Sequence, residues 1–199
     1  MPYAENYRRP SILPNLMELY LAGPEGATWY EDATLTIERY SETQGLNPAI
    51  VCDVLGLTSP RQTVARNVQL AKNYLQRQVL DGCLPSVKIG VARWSASLEH
   101  YHAIKTEKRG CMGVINGDKT RNFAHALNGD TDAVVIDVWM FRALKLDFPS
   151  MTSKRYRYAA DLVRSFAEKV GDTPRNTQAR IWVGTRKAYG YKGHAPLEM

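Results

Sequence analysis

No apolar run in the sequence approaches the ~20 residues that a membrane-spanning helix requires. The opening stretch, MPYAENYRRP, has no apolar core of the kind a secretion signal needs, so a cytoplasmic protein is expected, with no membrane partner. Cysteine is scarce and odd in number. Cys52, Cys83 and Cys111 stand far apart, with no C-x-x-C pair among them. That spacing offers neither a zinc site nor an iron–sulfur cluster, and no cofactor or metal is expected. The three thiols are expected to be buried in a reducing compartment. Internal repeats, low-complexity tracts and clear linkers are also missing. The 199 residues therefore suit one compact domain, with room for two lobes.

What is present is an ordinary folded composition, 44% hydrophobic and 23% charged. The net charge is +6 and the isoelectric point about 9.2. Such a balance suits an anionic partner, and nucleic acid is the commonest. Basic charge is equally at home in proteins that bind no DNA.

The hydrophobic pattern is helical nearly throughout, and the class expected is all-α. Residues 28–44 read as a helix ending at Gly45, and Pro48 suits the first turn of the next. In SPRQTVARNVQLAKNYLQRQVL, Ser59 reads as an N-cap, Pro60 as the first helical residue and Gln62 as the close of a capping box. Val64, Val68, Ala71, Tyr74, Leu75 and Val79 would form its apolar face. A looser stretch with Gly82, Pro85 and Gly90 leads to ARWSASLEHYHAIKTEK, another helical pattern closed by Gly110. A short amphipathic helix is expected over 119–128, with Phe123, Ala124 and Leu127 inward, broken at Asn128-Gly129-Asp130. Ala133 to Ile136 is a four-residue apolar run, too short to assign alone, and Asp137 would cap the helix after it. Beyond Pro149-Ser150, SKRYRYAADLVRSFAEKV offers Tyr158, Leu162, Phe166 and Val170 and stops at Gly171. Thr173-Pro174 opens a last helix, and the tail from Gly190 looks irregular.

One stretch, GDKTRNFAHALNGDTDAVVIDVWMFR, sets a lysine and an aspartate at two consecutive element starts, each beside a turn. Lysine is nucleophilic only as the neutral amine. A helix start and partial burial both disfavour its charge. A carboxylate fixed as a helix cap could accept the amine's proton or stabilise positive charge on a sugar ring. The plainer alternative is that Lys119 is an ordinary surface lysine and Asp137 an ordinary cap. A phosphate-binding loop is excluded, because the residue before the lysine is Asp118 where glycine is required.

The stretch resembles the core of the helix-hairpin-helix DNA glycosylases, the endonuclease III-like enzymes. Gly117, Lys119 and Thr120 match the end of that family's hairpin. Val135-Ile136-Asp137 match its apolar run and aspartate, and Arg142 matches its arginine. The separation of eighteen residues between Lys119 and Asp137 is the family's own. Upstream, VLGLTSPRQTVARNVQLAKNYL resembles the family's helix, DNA-facing loop and next helix. The likeness covers roughly Leu46 to Leu146, about half the chain. The pattern departs at Val114 and Ile115 in the hairpin and at Trp139, which stands where relatives carry histidine. The family's C-terminal four-cysteine cluster is absent.

The resemblance implies a two-lobed helical fold with an interlobe cleft. One lobe would span about 46–146, the other about 1–45 with 147–199. It implies a monomeric enzyme that flips a target nucleotide out of DNA and excises a modified or damaged base, with pyrimidine the favoured guess. Lys119 would attack the sugar and form a Schiff base, and Asp137 would activate it. Asn116, Gly117, Asp118 and Thr120 would hold a phosphate. Ser59, Arg61 and Gln62 lie where relatives fill the gap left by the flipped base. Trp139 would stack on a base in the pocket or fill the core. Two other readings remain open: an enzyme on the same scaffold that hypermodifies thymine bases, and a DNA-binding module without catalysis. His100 and His102, two apart, share no helical face, and the basic-aromatic SKRYRY segment reads equally as a DNA contact or a solvated helix start. Trp182, on the last helix, reads as core.

Overall fold

A computed structural model describes residues 12–76, 117–146, 150–191 and 196–199. Among them every regular element is helical. The helices are α1 (Ile12–Ala22), a 3-10 turn (Pro24–Gly26), α2 (Trp29–Gln44), α3 (Pro48–Thr58) and α4 (Val64–Tyr74). Then follow α5 (Asp118–Leu127), α6 (Val138–Ala143), α7 (Ser153–Val170) and α8 (Pro174–Ala188). The all-α expectation holds for these residues. The expected helix over 92–108 and the looser stretch before it lie outside them, as do His100, His102, Cys83 and Cys111. No described helix is long and apolar enough to cross a membrane.

The chain divides into two compact units. One takes Met1–Thr28 and Ile136–His194, the other Trp29–Val135 and Ala195–Met199. In the first, α8 is the hub, and α1, the 3-10 turn, α6 and α7 all pack on it. Ile181 and Val183 of α8 are buried, as are Leu16, Leu19 and Tyr20 of α1. The approach is backbone to backbone. A Cβ on Gly184 would collide with the carbonyl of Leu19, and one on Gly23 with the carbonyl of Arg180.

Local chemistry explains where these helices begin. Thr152 caps α7 by accepting from Arg155 N–H at 3.3 Å, and Thr173 caps α8 by accepting from Asn176 N–H at 3.2 Å. Pro174 fills the position where a missing N–H costs nothing. Gly171 ends α7 in the left-handed conformation, φ 69°. The apolar face of α7 differs from the expected one. Tyr156, Ala159, Ala160, Val163, Phe166 and Ala167 are buried, whereas Tyr158, Leu162 and Val170 lie half-buried. Small alanines let the helix sit close, and they carry too little hydrophobic contrast to mark the face.

In the second unit α3 is central, buried from Val51 through Thr58 and packed against α2, α4 and α5. Asn47 caps it, accepting from Ala49 N–H at 2.9 Å. The expected capping box at Ser59 is not formed. The Ser59 hydroxyl instead donates to the Gly56 carbonyl at 2.9 Å, closing α3 rather than opening α4. Arg61 then turns the chain at φ 58°, and α4 begins only at Val64, capped by Thr63. Between the two helices lies a buried polar latch. The Thr58 hydroxyl reaches Asn67 Oδ1 at 2.6 Å, and Asn67 Nδ2 donates to the Leu55 carbonyl at 3.1 Å. It fixes the loop that carries Ser59, Arg61 and Gln62. On α4, Val68, Leu70, Ala71 and Tyr74 face inward as an amphipathic helix should, while Val64 stays half-buried and Val79 lies outside the described residues.

Candidate functional site

The start of α5 lies in the second unit. Gly117 precedes the helix at φ 103°, a conformation that side chains resist, and no side chain caps the helix. The Thr120 hydroxyl donates back to the Gly117 carbonyl at 2.8 Å, and Asn122 Nδ2 donates to the Asp118 carbonyl at 2.8 Å. Lys119 is half-buried in the first turn, and its Nζ donates to Ser59 Oγ at 3.3 Å. That meeting depends on Gly56. A Cβ there would stand 2.8 Å from the Thr120 carbonyl oxygen, so only glycine lets the first turn of α5 come this close to α3.

Lys119 and Ser59, to which the sequence reading assigns separate roles, are thus neighbours across sixty positions of chain. Ser59, expected on the DNA-facing loop, is only 7% exposed. Arg61 and Gln62 are exposed on the same loop, and Asp118 and Thr120 are half-buried. Asn116 lies outside the described residues. Phe123, expected inward, is half-buried and stacks on Trp29 with centroids 6.3 Å apart. The four-residue run from Ala133 to Ile136 is buried without being helix or strand.

Asp137 lies in the first unit and caps α6, as its position in the sequence predicts. Its Oδ1 accepts from Trp139 N–H at 2.9 Å and from Met140 N–H at 3.1 Å. The sequence did not foretell its third partner, the indole N–H of Trp182, which donates to Oδ2 at 2.9 Å. Trp182 is therefore a half-buried hydrogen-bond donor and not simple core filling. A tryptophan on a terminal helix needs an acceptor for its N–H wherever it loses water, and that need was the available signal. Behind the cap, Ile136 N–H donates to the buried Tyr156 hydroxyl at 3.1 Å, which ties the approach to Asp137 to α7. Asp137 is held by three donors from two helices, so its carboxylate has a fixed orientation and stays partly open to water.

Trp139, expected either to stack on a base or to fill the core, is half-buried. It packs edge-on against Tyr191 at 5.0 Å and Tyr189 at 5.8 Å. The guanidinium of Arg142 lies 4.4 Å from the centre of the Trp139 ring. The segment 153–158 is the start of α7, with Tyr156 buried and Lys154 and Arg157 in solvent. Arg155 there donates to the Ser150 carbonyl at 2.7 Å.

Two features were invisible to spacing. Asp53 on α3 is 1% exposed, and its Oδ1 has no hydrogen-bond partner. Burial raises its pKa from the usual 3.8 to about 7. The neighbouring Cys52, a buried free thiol, is pushed up to about 12 by the same desolvation. The second feature is an open recess of about 430 Å³ in the second unit, with Arg39 and Lys72 on its wall and the Lys72 ammonium 5.6 Å from the Tyr40 ring centre. Among the described residues no group of three or more His, Cys, Asp or Glu side chains could hold a metal ion.

A family model described as "Family of unknown function (DUF7178)" matches residues 21–189. No curated protein and no solved structure matches the chain.

Proposed function

The chain belongs to that family, and we propose that it is a DNA N-glycosylase with lyase activity, acting on a modified or damaged base. The observation that carries this reading is the Asp137 carboxylate, fixed by three N–H donors at the start of α6. A carboxylate whose rotamer is locked before substrate arrives needs no reorganisation when positive charge develops on a sugar. Lys119 is the second residue the reading needs. It lies in the first turn of a helix whose start no side chain caps. The Ser59 hydroxyl, itself directed at Gly56, offers its oxygen to the amine.

The chemistry proceeds as follows. A nucleotide with a weakened stack rotates out of the duplex, at a cost of a few kcal/mol that damage reduces. The neutral Lys119 amine attacks C1′ as the bond to the base breaks, and the base leaves with a proton. Asp137 stabilises the oxocarbenium-like charge. The sugar ring opens to an imine with the lysine, and β-elimination then breaks the C3′–O bond. A DNA-binding partner surface agrees with the net charge of +6.

Borohydride reduces the imine to a stable amine, so the test is direct. The protein is incubated with a panel of oligonucleotides bearing modified bases, with borohydride present, and the adducts and released bases are read by mass spectrometry. A covalent adduct that maps to Lys119 and disappears in Lys119→Ala is the expected result. Released base without any adduct would leave the aspartate acting on water alone. Neither adduct nor released base from any substrate would overturn the reading, in favour of a base-modifying enzyme or a non-catalytic DNA-binding protein.

A further inference from the structure

The first unit carries an aromatic and cationic cluster that the proposed chemistry does not use. Tyr189 and Tyr191 follow the end of α8 and are 56% and 53% exposed. Both meet Trp139 of α6 edge to face, with interplanar angles of 69° and 71°. An edge-on arrangement engages the tyrosines at one side and leaves ring surface in water. Two arginines are threaded through the cluster. Arg142 lies over Trp139 and, at 5.1 Å, over Tyr189; Arg186 lies 4.7 Å from the centre of Trp182 and 5.9 Å from that of Tyr191. Neither guanidinium has a carboxylate partner among the described residues. The carboxylate built into the neighbourhood, Asp137, is already engaged by three N–H donors.

A guanidinium held against a ring has lost part of its hydration and part of its side-chain freedom, so it gives up less on binding an anion than a free surface arginine does. Exposed aromatic faces beside such cations recognise a ligand that alternates flat π surfaces with negative charges. A single-stranded nucleic acid has that pattern. A duplex does not, because its base faces are stacked on one another. We propose that Trp139, Tyr189 and Tyr191, with Arg142 and Arg186, form a binding face for an unpaired DNA strand, the bases stacking on the tyrosines and the phosphates meeting the arginines. The proposal goes beyond the glycosylase reading and stands or falls separately, because it requires no damaged base and no reaction at Lys119.

The test uses the full chain and an undamaged, fluorescently labelled twelve-nucleotide oligothymidine, with anisotropy read against the matching duplex. The single strand is expected to bind at least about tenfold more tightly than the duplex. Replacing both tyrosines, Tyr189→Ala with Tyr191→Ala, should weaken the single strand by about tenfold or more, since both stacked bases lose their platform. Tyr189→Phe with Tyr191→Phe should keep the affinity, because stacking needs the ring and not the hydroxyl. The exposed Arg142→Gln, which leaves the rings in place, should reduce the magnitude of the slope of log affinity against log salt by about 0.7. Equal binding of duplex and single strand would overturn the proposal. So would an unchanged affinity in the double alanine variant, or an unchanged salt slope in Arg142→Gln. None of these results depends on whether the borohydride experiment succeeds.

Discussion

The two units each hold an aspartate away from bulk water, and they treat it in opposite ways. In the first unit Asp137 is half-buried, and both of its oxygens are engaged by N–H donors. In the second, Asp53 is sealed inside α3 with one oxygen lacking any partner, and its pKa rises to about 7. Residue type alone does not settle what a carboxylate can do. Depth of burial and the supply of donors do. Where donors converge, the carboxylate is fixed in place. Where they are missing, the proton is retained and the group becomes a pH-dependent burden on the fold.

The contrast can be broken most sharply by titrating stability. Asp53 has its folded pKa raised above its unfolded value. Its favourable contribution is therefore complete below about pH 4, declines as pH rises, and is gone once pH passes about 7. The full swing is on the order of 4 kcal/mol for a shift of this size. Chemical denaturation at pH 5 and pH 8 should show wild type losing stability relative to Asp53→Asn as pH rises, with the variant the more stable at pH 8. An identical pH dependence in the two proteins would mean that Asp53 is charged and paired after all.

Asp137 should give the next largest effect. Asp137→Ala removes the cap of α6, worth about 1 kcal/mol, and leaves the Trp182 indole N–H without its acceptor, at a further 1–3 kcal/mol. Asp137→Asn can accept from the two backbone amides or from the indole, but its amide group opposes the remaining donor. Adding Trp182→Phe removes that conflict. Urea melts should show the double variant recovering part of the loss in Asp137→Asn, with adduct formation still impaired. Full recovery of adducts would reduce Asp137 to an ordinary cap. A smaller effect is expected at Gly56, where Gly56→Ala places a methyl group 2.8 Å from the Thr120 carbonyl oxygen and 2.9 Å from the Ala124 Cβ. Overpacking of this kind costs about 1–3 kcal/mol and should displace Lys119 from Ser59. A thermal melt that does not move would show that α3 and α5 have room to spare.

How much of this was legible in the sequence depended on how local the determining interaction was. The starts of α3, α6 and α8 were readable because each is set by a cap or proline within a few residues, at Asn47-Pro48, Asp137 and Thr173-Pro174. Ser59-Pro60 imitated such a signal. It failed because the hydroxyl was committed backwards to Gly56, and because Arg61 takes a left-handed turn that no capping motif encodes. The inward face of α7 was misjudged because alanines carry much of it. The helix α1 was not picked out, since apolar residues such as Met17 and Leu21 also line its exposed side and blur the periodicity. Of the candidate residues, Asp137 took its expected place as a cap. Its bond to Trp182 and the meeting of Trp139 with Tyr189 and Tyr191 were hidden, because they join segments more than forty residues apart.

The glycine contacts of α8 carry a consequence for how the chain comes into being. The surface that receives α1 is the backbone of α8 around Arg180 and Gly184, more than 150 residues further along the chain. During synthesis, at ~5–20 residues per second, α1 leaves the ribosome many seconds before its seat exists. Leu16, Leu19 and Tyr20 meanwhile have no native surface to cover them. The first unit therefore assembles from pieces made many seconds apart. A ribosome stalled short of Gly184 leaves behind an apolar helix that invites chaperones.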